Sequence, residues 1–177
     1  MLADVRADDI LRERDLVDIV VFVAGTGSRI SEALAIRWED VDLEAGTVTI
    51  AKSKTTAGER TIRLPSNLVG LLGDRRVAGG PNTDNVVFPS LLGRPRDSKA
   101  VMREWALARA RLGLPDGYTF HAFRKTVATA LDQAGLTPRD IAEYLGHADP
   151  SLTMGTYMSK IVGGTRAADA LDAALEN

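Results

Sequence analysis

The sequence predicts a mainly α-helical domain that carries one small three-stranded antiparallel sheet. Two observations lead there. Apolar residues recur at helical spacing through most of the chain, whereas residues 38–64 switch to alternation among β-branched side chains. The chain has 177 residues, 45% apolar and 26% charged, enough for one well-buried core. It has no cysteine and two histidines, so disulfide and thiolate chemistry are excluded and a His/Cys metal site is short of donors.

Residues 9–24 read as one helix whose second half is apolar all round and therefore central, ended by Gly25 and Gly27. A second helix runs from about Arg29 to Ile36, with Ile30, Ala33, Leu34 and Ile36 as its buried stripe. Trp38-Glu39-Asp40-Val41-Asp42 then leads through a turn at Glu44-Ala45-Gly46 into the strand Thr47-Val48-Thr49-Ile50. Arg60-Thr61-Ile62-Arg63-Leu64 returns after an exposed loop at Ser53 to Gly58.

From Pro65 the helical period resumes, with a short helix near Asn67 to Leu72 and a loop rich in Gly, Pro and Asn from Gly79 to Asn85. A longer helix from Asp97 or Ser98 to about Leu112 buries Val101, Trp105 and Ala108, and His121 to Ala134 forms the next, ending at Gly135. Thr137-Pro138-Arg139-Asp140 combines an N-cap, proline at the first helical position and an acid at the third, and that helix stops at Gly146. Asp149-Pro150 repeats the start signal. Gly163-Gly164 reads as a hinge before a last amphipathic helix, Thr165 to Leu175, with Ala167, Ala170, Leu171, Ala174 and Leu175 on one side.

The net charge of −2 argues at first against a polyanionic partner, but its distribution does not. Both ends of the chain are acidic, whereas Lys52, Lys54, Arg60 and Arg63 face Glu59 alone in the hairpin, and basic side chains dominate residues 94–125. Segregation of this kind fits one face that meets a polyanion. The longest apolar run, Ile19 to Ala24, is far shorter than the roughly 20 residues of a membrane span. The N-terminus lacks the order of a signal peptide. The chain reads as cytoplasmic and soluble, without a membrane partner.

A candidate chemistry lies in the last third. His121-Ala122-Phe123-Arg124 places a histidine and an arginine one helical turn apart, and Leu145-Gly146-His147 precedes Tyr157 by nine intervening residues. A tyrosine can attack a phosphodiester if one group takes its proton and others stabilise the pentacovalent phosphorane. Arginine suits the second task because its planar fork donates paired hydrogen bonds and stays charged. A second arginine, Arg29, follows the glycine-flanked turn Gly25-Thr26-Gly27-Ser28, and Glu32 either supports it or caps the local backbone.

These motifs resemble the catalytic domain of tyrosine recombinases of the phage-integrase type, from about residue 9 to residue 160. Gly25 to Glu32 with Trp38 to Asp42 is similar to that family's first arginine box, Ser53-Lys54-Thr55 to its lysine turn, His121 to Arg124 to its second box, and Leu145 to Tyr157 to its third. Lys125 stands where family members often carry histidine.

The resemblance implies the DNA breaking-rejoining fold and site-specific recombination of the phage integration/excision kind. It also implies a role for each residue. Tyr157 is the nucleophile that leaves a 3′-phosphotyrosyl link; Arg29, Arg124 and His147 hold the non-bridging oxygens; His121 assists proton transfer; and Lys54 protonates the leaving 5′-oxygen, with Lys52 its competitor. No metal or cofactor is implied. Double-stranded DNA is the expected partner, with Lys52, Arg60, Arg63, Arg94, Arg96, Lys99 and Lys125 as its contacts. The alternatives are relaxation of DNA in the manner of a type IB topoisomerase, or a non-catalytic DNA-binding domain. The chain reads as one catalytic domain over residues 1–177, with an acidic lead at 1–8 and without the family's usual N-terminal DNA-binding domain. The resemblance favours self-association on DNA, up to a tetrameric synapse, through exchange of the tail helix 165–175.

Overall fold

The computed structural model describes residues 1–50, 59–146, 161–162, 167–169 and 171–172. Eight α-helices, a single 3-10 turn at Trp38–Asp40 and a small sheet are found among them. Helices α1 (Leu2–Ala7) and α2 (Asp9–Glu13) meet at Asp8, whose carboxylate accepts from the Leu11 backbone N–H at 2.8 Å. The single helix expected over 9–24 is instead two, because the chain turns left-handed at Asp15 (φ 53°) before α3 (Val17–Thr26) begins. An ion cluster sits at that break. Both carboxylate oxygens of Asp15 accept from Arg75 at 2.6 Å, one also accepts from Arg96 at 3.0 Å, and Asp18 adds a second acceptor for Arg75.

Helix α3 is the core, with Ile19 to Val23 all buried. It ends at Gly27, where φ is 65° and an added Cβ would lie 2.9 Å from Leu145 and 3.0 Å from Val127. Only glycine suits both the left-handed turn and that close approach. Helix α4 (Ile30–Ala35) follows at once.

Strands β1 (Val41–Asp42), β2 (Thr47–Ile50) and β3 (Arg60–Arg63) form the expected antiparallel meander, with Val41 opposite Val48 and Ile50 opposite Arg60. The structure adds a strand that periodicity did not reveal: β4 (Ile161–Val162) pairs parallel with β3, and two residues beside Gly163 are too short a run to read. Helix α5 (Ser66–Ala78) is longer than the segment expected over 67–72, since Arg75 ties its last turn to Asp15, Asp18 and the Val87 carbonyl.

Helices α6 (Ser98–Arg111), α7 (Phe120–Gln133) and α8 (Pro138–Leu145) are capped by the side chains of Asp97, Thr119 and Thr137, of which Thr137 is the cap expected from the sequence; α7 begins one residue before the expected His121. Trp105, Phe120 and Phe123 pack together between α6 and α7, with ring centroids 5.8 to 6.1 Å apart. In the tail, Ala167, Ala168 and Leu171 are buried, and the Asp172 carboxylate accepts from Ser66 N and Oγ at 3.0 Å. Among the described residues no helix is long and apolar enough to cross a membrane.

Candidate active site

Three arginines from distant parts of the chain converge on one carboxylate and one turn. Arg29 is the N-cap of α4, placed by the left-handed exit of α3 at Gly27. One carboxylate oxygen of Glu32 accepts from the Arg29 backbone N–H at 2.9 Å and the other from Arg29 Nη1 at 2.7 Å, so Glu32 performs both roles expected of it. Arg60, at the start of β3, donates from Nη2 to Glu32 at 3.0 Å. Arg124 lies on the inner face of α7 and donates from Nη1 to the Gly27 carbonyl at 2.8 Å.

The turn that closes α8 receives all three. Tyr144 O accepts from Arg60 Nε at 2.7 Å, Leu145 O accepts from Arg124 Nη2, and Gly146 O accepts from Arg29 Nη1 and Nη2 at 3.3 and 3.4 Å. A helix C-terminus leaves carbonyls without intrahelical partners and carries partial negative charge, which accounts for the attraction. Gly146 is left-handed, with φ 67°.

Among the described residues the cluster holds more positive than negative charge. Burial raises the Glu32 carboxyl, but the hydrogen bond and charge of Arg60, then the bonds to Arg29, outweigh it and hold the group below its ordinary 4.5. Desolvation and the neighbouring Arg29 and Arg60 charges bring Arg124 well below the ordinary arginine value, to about 10, Glu32 opposing them. Arg124 therefore stays charged at neutral pH, and among the described residues three arginines share the Glu32 carboxylate. Arg29 is about half exposed at 48%, whereas the Arg60 side chain is at 5%. An oxyanion arriving at the open side meets fixed, partly desolvated donors, the arrangement that stabilises developing negative charge.

The remaining predicted residues divide. His121 is exposed one turn before Arg124 on α7, and Lys125, Arg94 and Lys99 are also exposed, while Arg63 is half-buried on β3. Arg60 and Arg96, expected as DNA contacts, are corrected. Arg60 is enclosed by Glu32 and the α8 turn; Arg96 is 9% exposed, donating to Pro89 O, Arg14 O and Asp15. For Arg60 a signal existed: in the alternation of β3 it shares a face with Ile62, which is buried. Lys52, Lys54, His147 and Tyr157 lie outside the described residues.

The model of the phage integrase family matches residues 6–161. The chain belongs to that family. It is 35% identical over 141 residues to tyrosine recombinase XerC of Nitrobacter winogradskyi, covering 76% of itself and 43% of the relative. It is 26% identical to a XerC-like tyrosine recombinase of Caldanaerobacter subterraneus subsp. tengcongensis, covering 83% and 46%. The XerA recombinase crystal structure superposes with TM-score 0.70 at 26% identity over 84% of this chain and 53% of that one. The integrase of mycobacterium phage Brujita shares the fold, with TM-score 0.65 at 23% identity over 88% of this chain and 50% of that one. The chain thus spans about half the length of the curated relatives it matches.

Proposed function

We propose that this chain is the catalytic part of a site-specific recombinase that cuts and rejoins double-stranded DNA through a phosphotyrosyl intermediate, in reactions of the phage integration/excision kind. The observation that carries the reading is the cluster of Arg29, Arg60 and Arg124 around Glu32, with Arg29 half exposed and, among the described residues, more positive than negative charge. Family membership supports it. So do the XerH and Tn1549 integrase structures, both bound to DNA, whose fold this chain shares.

In this mechanism the Tyr157 hydroxyl oxygen attacks the scissile phosphorus while His121 assists removal of its proton. Arg29, Arg124 and His147 hold the non-bridging oxygens. The bond from phosphorus to the 5′-oxygen breaks, Lys54 gives that oxygen a proton, and a 3′-phosphotyrosyl ester remains. The ester keeps the energy of the broken bond, so attack by another 5′-hydroxyl rejoins strands without ATP. Tyr144 is no rival nucleophile, since it is fully buried and burial pushes its hydroxyl well above the usual tyrosine range.

The test is a nicked suicide substrate, from which the short 5′-hydroxyl strand diffuses away and traps the covalent adduct. The wild-type chain should accumulate adduct mapped to Tyr157; Tyr157→Phe should form none while binding DNA with nearly the same affinity. An adduct at any other residue, or adduct from Tyr157→Phe, sinks the mechanism.

A further inference from the structure

Arg60 has no place in the mechanism above, yet it touches both halves of the cluster. Its Nη2 reaches Glu32, whose other carboxylate oxygen holds Arg29 Nη1, and its Nε reaches Tyr144 O in the turn whose next carbonyls hold Arg124 and Arg29. The fit to that turn is close. A Cβ built on Gly146 would fall 2.4 Å from Arg60 Nη1 and 2.8 Å from Cζ, so the guanidinium lies flat against a glycine that no other residue can replace without moving one of them. At 5% exposure Arg60 is not open to a phosphate, whereas Arg29 is.

Resting on the proposed cleavage reaction, we infer that Arg60 is a positioning residue: it fixes Glu32, and through it Arg29, and it sets the α8 turn that leads into His147. A buried guanidinium with donors on several sides suits this use because one rigid planar group spans a carboxylate and a carbonyl that belong to different helices. Lysine offers a single ammonium and cannot hold both at those distances. A misplacement of about 1 Å in the reacting groups costs on the order of 10²-fold in rate, so the effect falls on the chemical step.

The experiment measures adduct formation on saturating suicide substrate, DNA affinity and thermal unfolding for wild type, Arg60→Met, Arg60→Lys, Glu32→Gln and the double variant Arg60→Met/Glu32→Gln. Arg60→Met should lower the adduct rate by at least about tenfold, with DNA affinity within about threefold of wild type. Arg60→Lys should recover part of the rate. In the Glu32→Gln background the further loss from Arg60→Met should be smaller than in wild type, since part of its action runs through Glu32.

A pH profile supplies a readout that a merely structural role does not move. Among the described residues, the charged groups facing Glu32 are Arg29 from its own helix cap, Arg60 from β3 and Arg124 from α7. Without Arg60 the carboxyl titrates higher, so the acid limb of the rate should shift upward in Arg60→Met and not in the double variant. A wild-type rate and profile in Arg60→Met would overturn the inference, as would DNA affinity falling as far as the rate, which would make Arg60 a DNA contact. If Arg60→Met does not fold, folded Arg60→Lys decides: full wild-type rate counts against the inference and partial rate for it. A wild-type chain that forms no adduct overturns the cleavage reading itself, an outcome distinct from all of these.

Discussion

At the scale of single residues, burial separates side chains that composition treats alike. The Tyr144 hydroxyl is fully buried with no hydrogen-bond partner among the described residues, although its backbone carbonyl is tightly held by Arg60. An unsatisfied buried hydroxyl is a cost with no return, whereas the ring fills core space. Tyr144→Phe should therefore leave stability unchanged or raise it by up to about 1 kcal/mol in chemical denaturation, with adduct formation intact. A loss of more than that would mean the hydroxyl has a partner in solution. Glu32 makes a second residue-scale statement. Its carboxyl is held below its ordinary 4.5, so its contribution to stability is complete above that pH and is lost as pH falls through the lower folded value.

At the scale of elements, most of the fold was legible and the reason is local. Caps at Asp97, Thr119 and Thr137 and the left-handed glycine after α8 act over three or four residues, within reach of sequence patterns. The partners of Arg60 were not so legible, because they lie 28 and 84 positions away, and Arg96 is tied to an aspartate 81 positions earlier. Asp15 likewise broke a helix that periodicity would have continued, through ion pairs made only in the folded chain. Two glycines test the site's local geometry. Gly113 after α6 and Gly146 after α8 are both left-handed at φ 67°, but a Cβ at Gly113 meets nothing within 4 Å while one at Gly146 meets Arg60. Gly113→Ala should cost only the left-handed penalty, about 1 kcal/mol, with cleavage unchanged. Gly146→Ala should cost more and slow cleavage, as denaturation curves and adduct rates on the two variants will show.

At the scale of the whole molecule, the described part of the tail packs on its own domain. Ala167, Ala168 and Leu171 are buried, and Asp172 caps the start of α5 through Ser66 and Asn67. Self-association through this segment remains a proposal drawn from the resemblance, and it requires these contacts to be exchanged for equivalent ones on a neighbour. Deleting residues 165–177 should destabilise the isolated chain by about 2–5 kcal/mol, the usual range for emptying a buried leucine site, read as a fall in the denaturation midpoint. A truncated chain of unchanged stability that binds one DNA site but cannot pair two would show that the tail serves assembly alone.

The turn at Tyr144–Gly146 also bears on how the chain comes to be active. Its three carbonyls are claimed by arginines from positions 29, 60 and 124, so no fragment shorter than residues 29–146 holds the set. Pairings that far apart along a chain close large loops and form late in folding. Under the proposed cleavage mechanism a nascent or half-folded copy accordingly lacks the assembled arginine cluster, and the capacity to break DNA would arrive together with the completed fold.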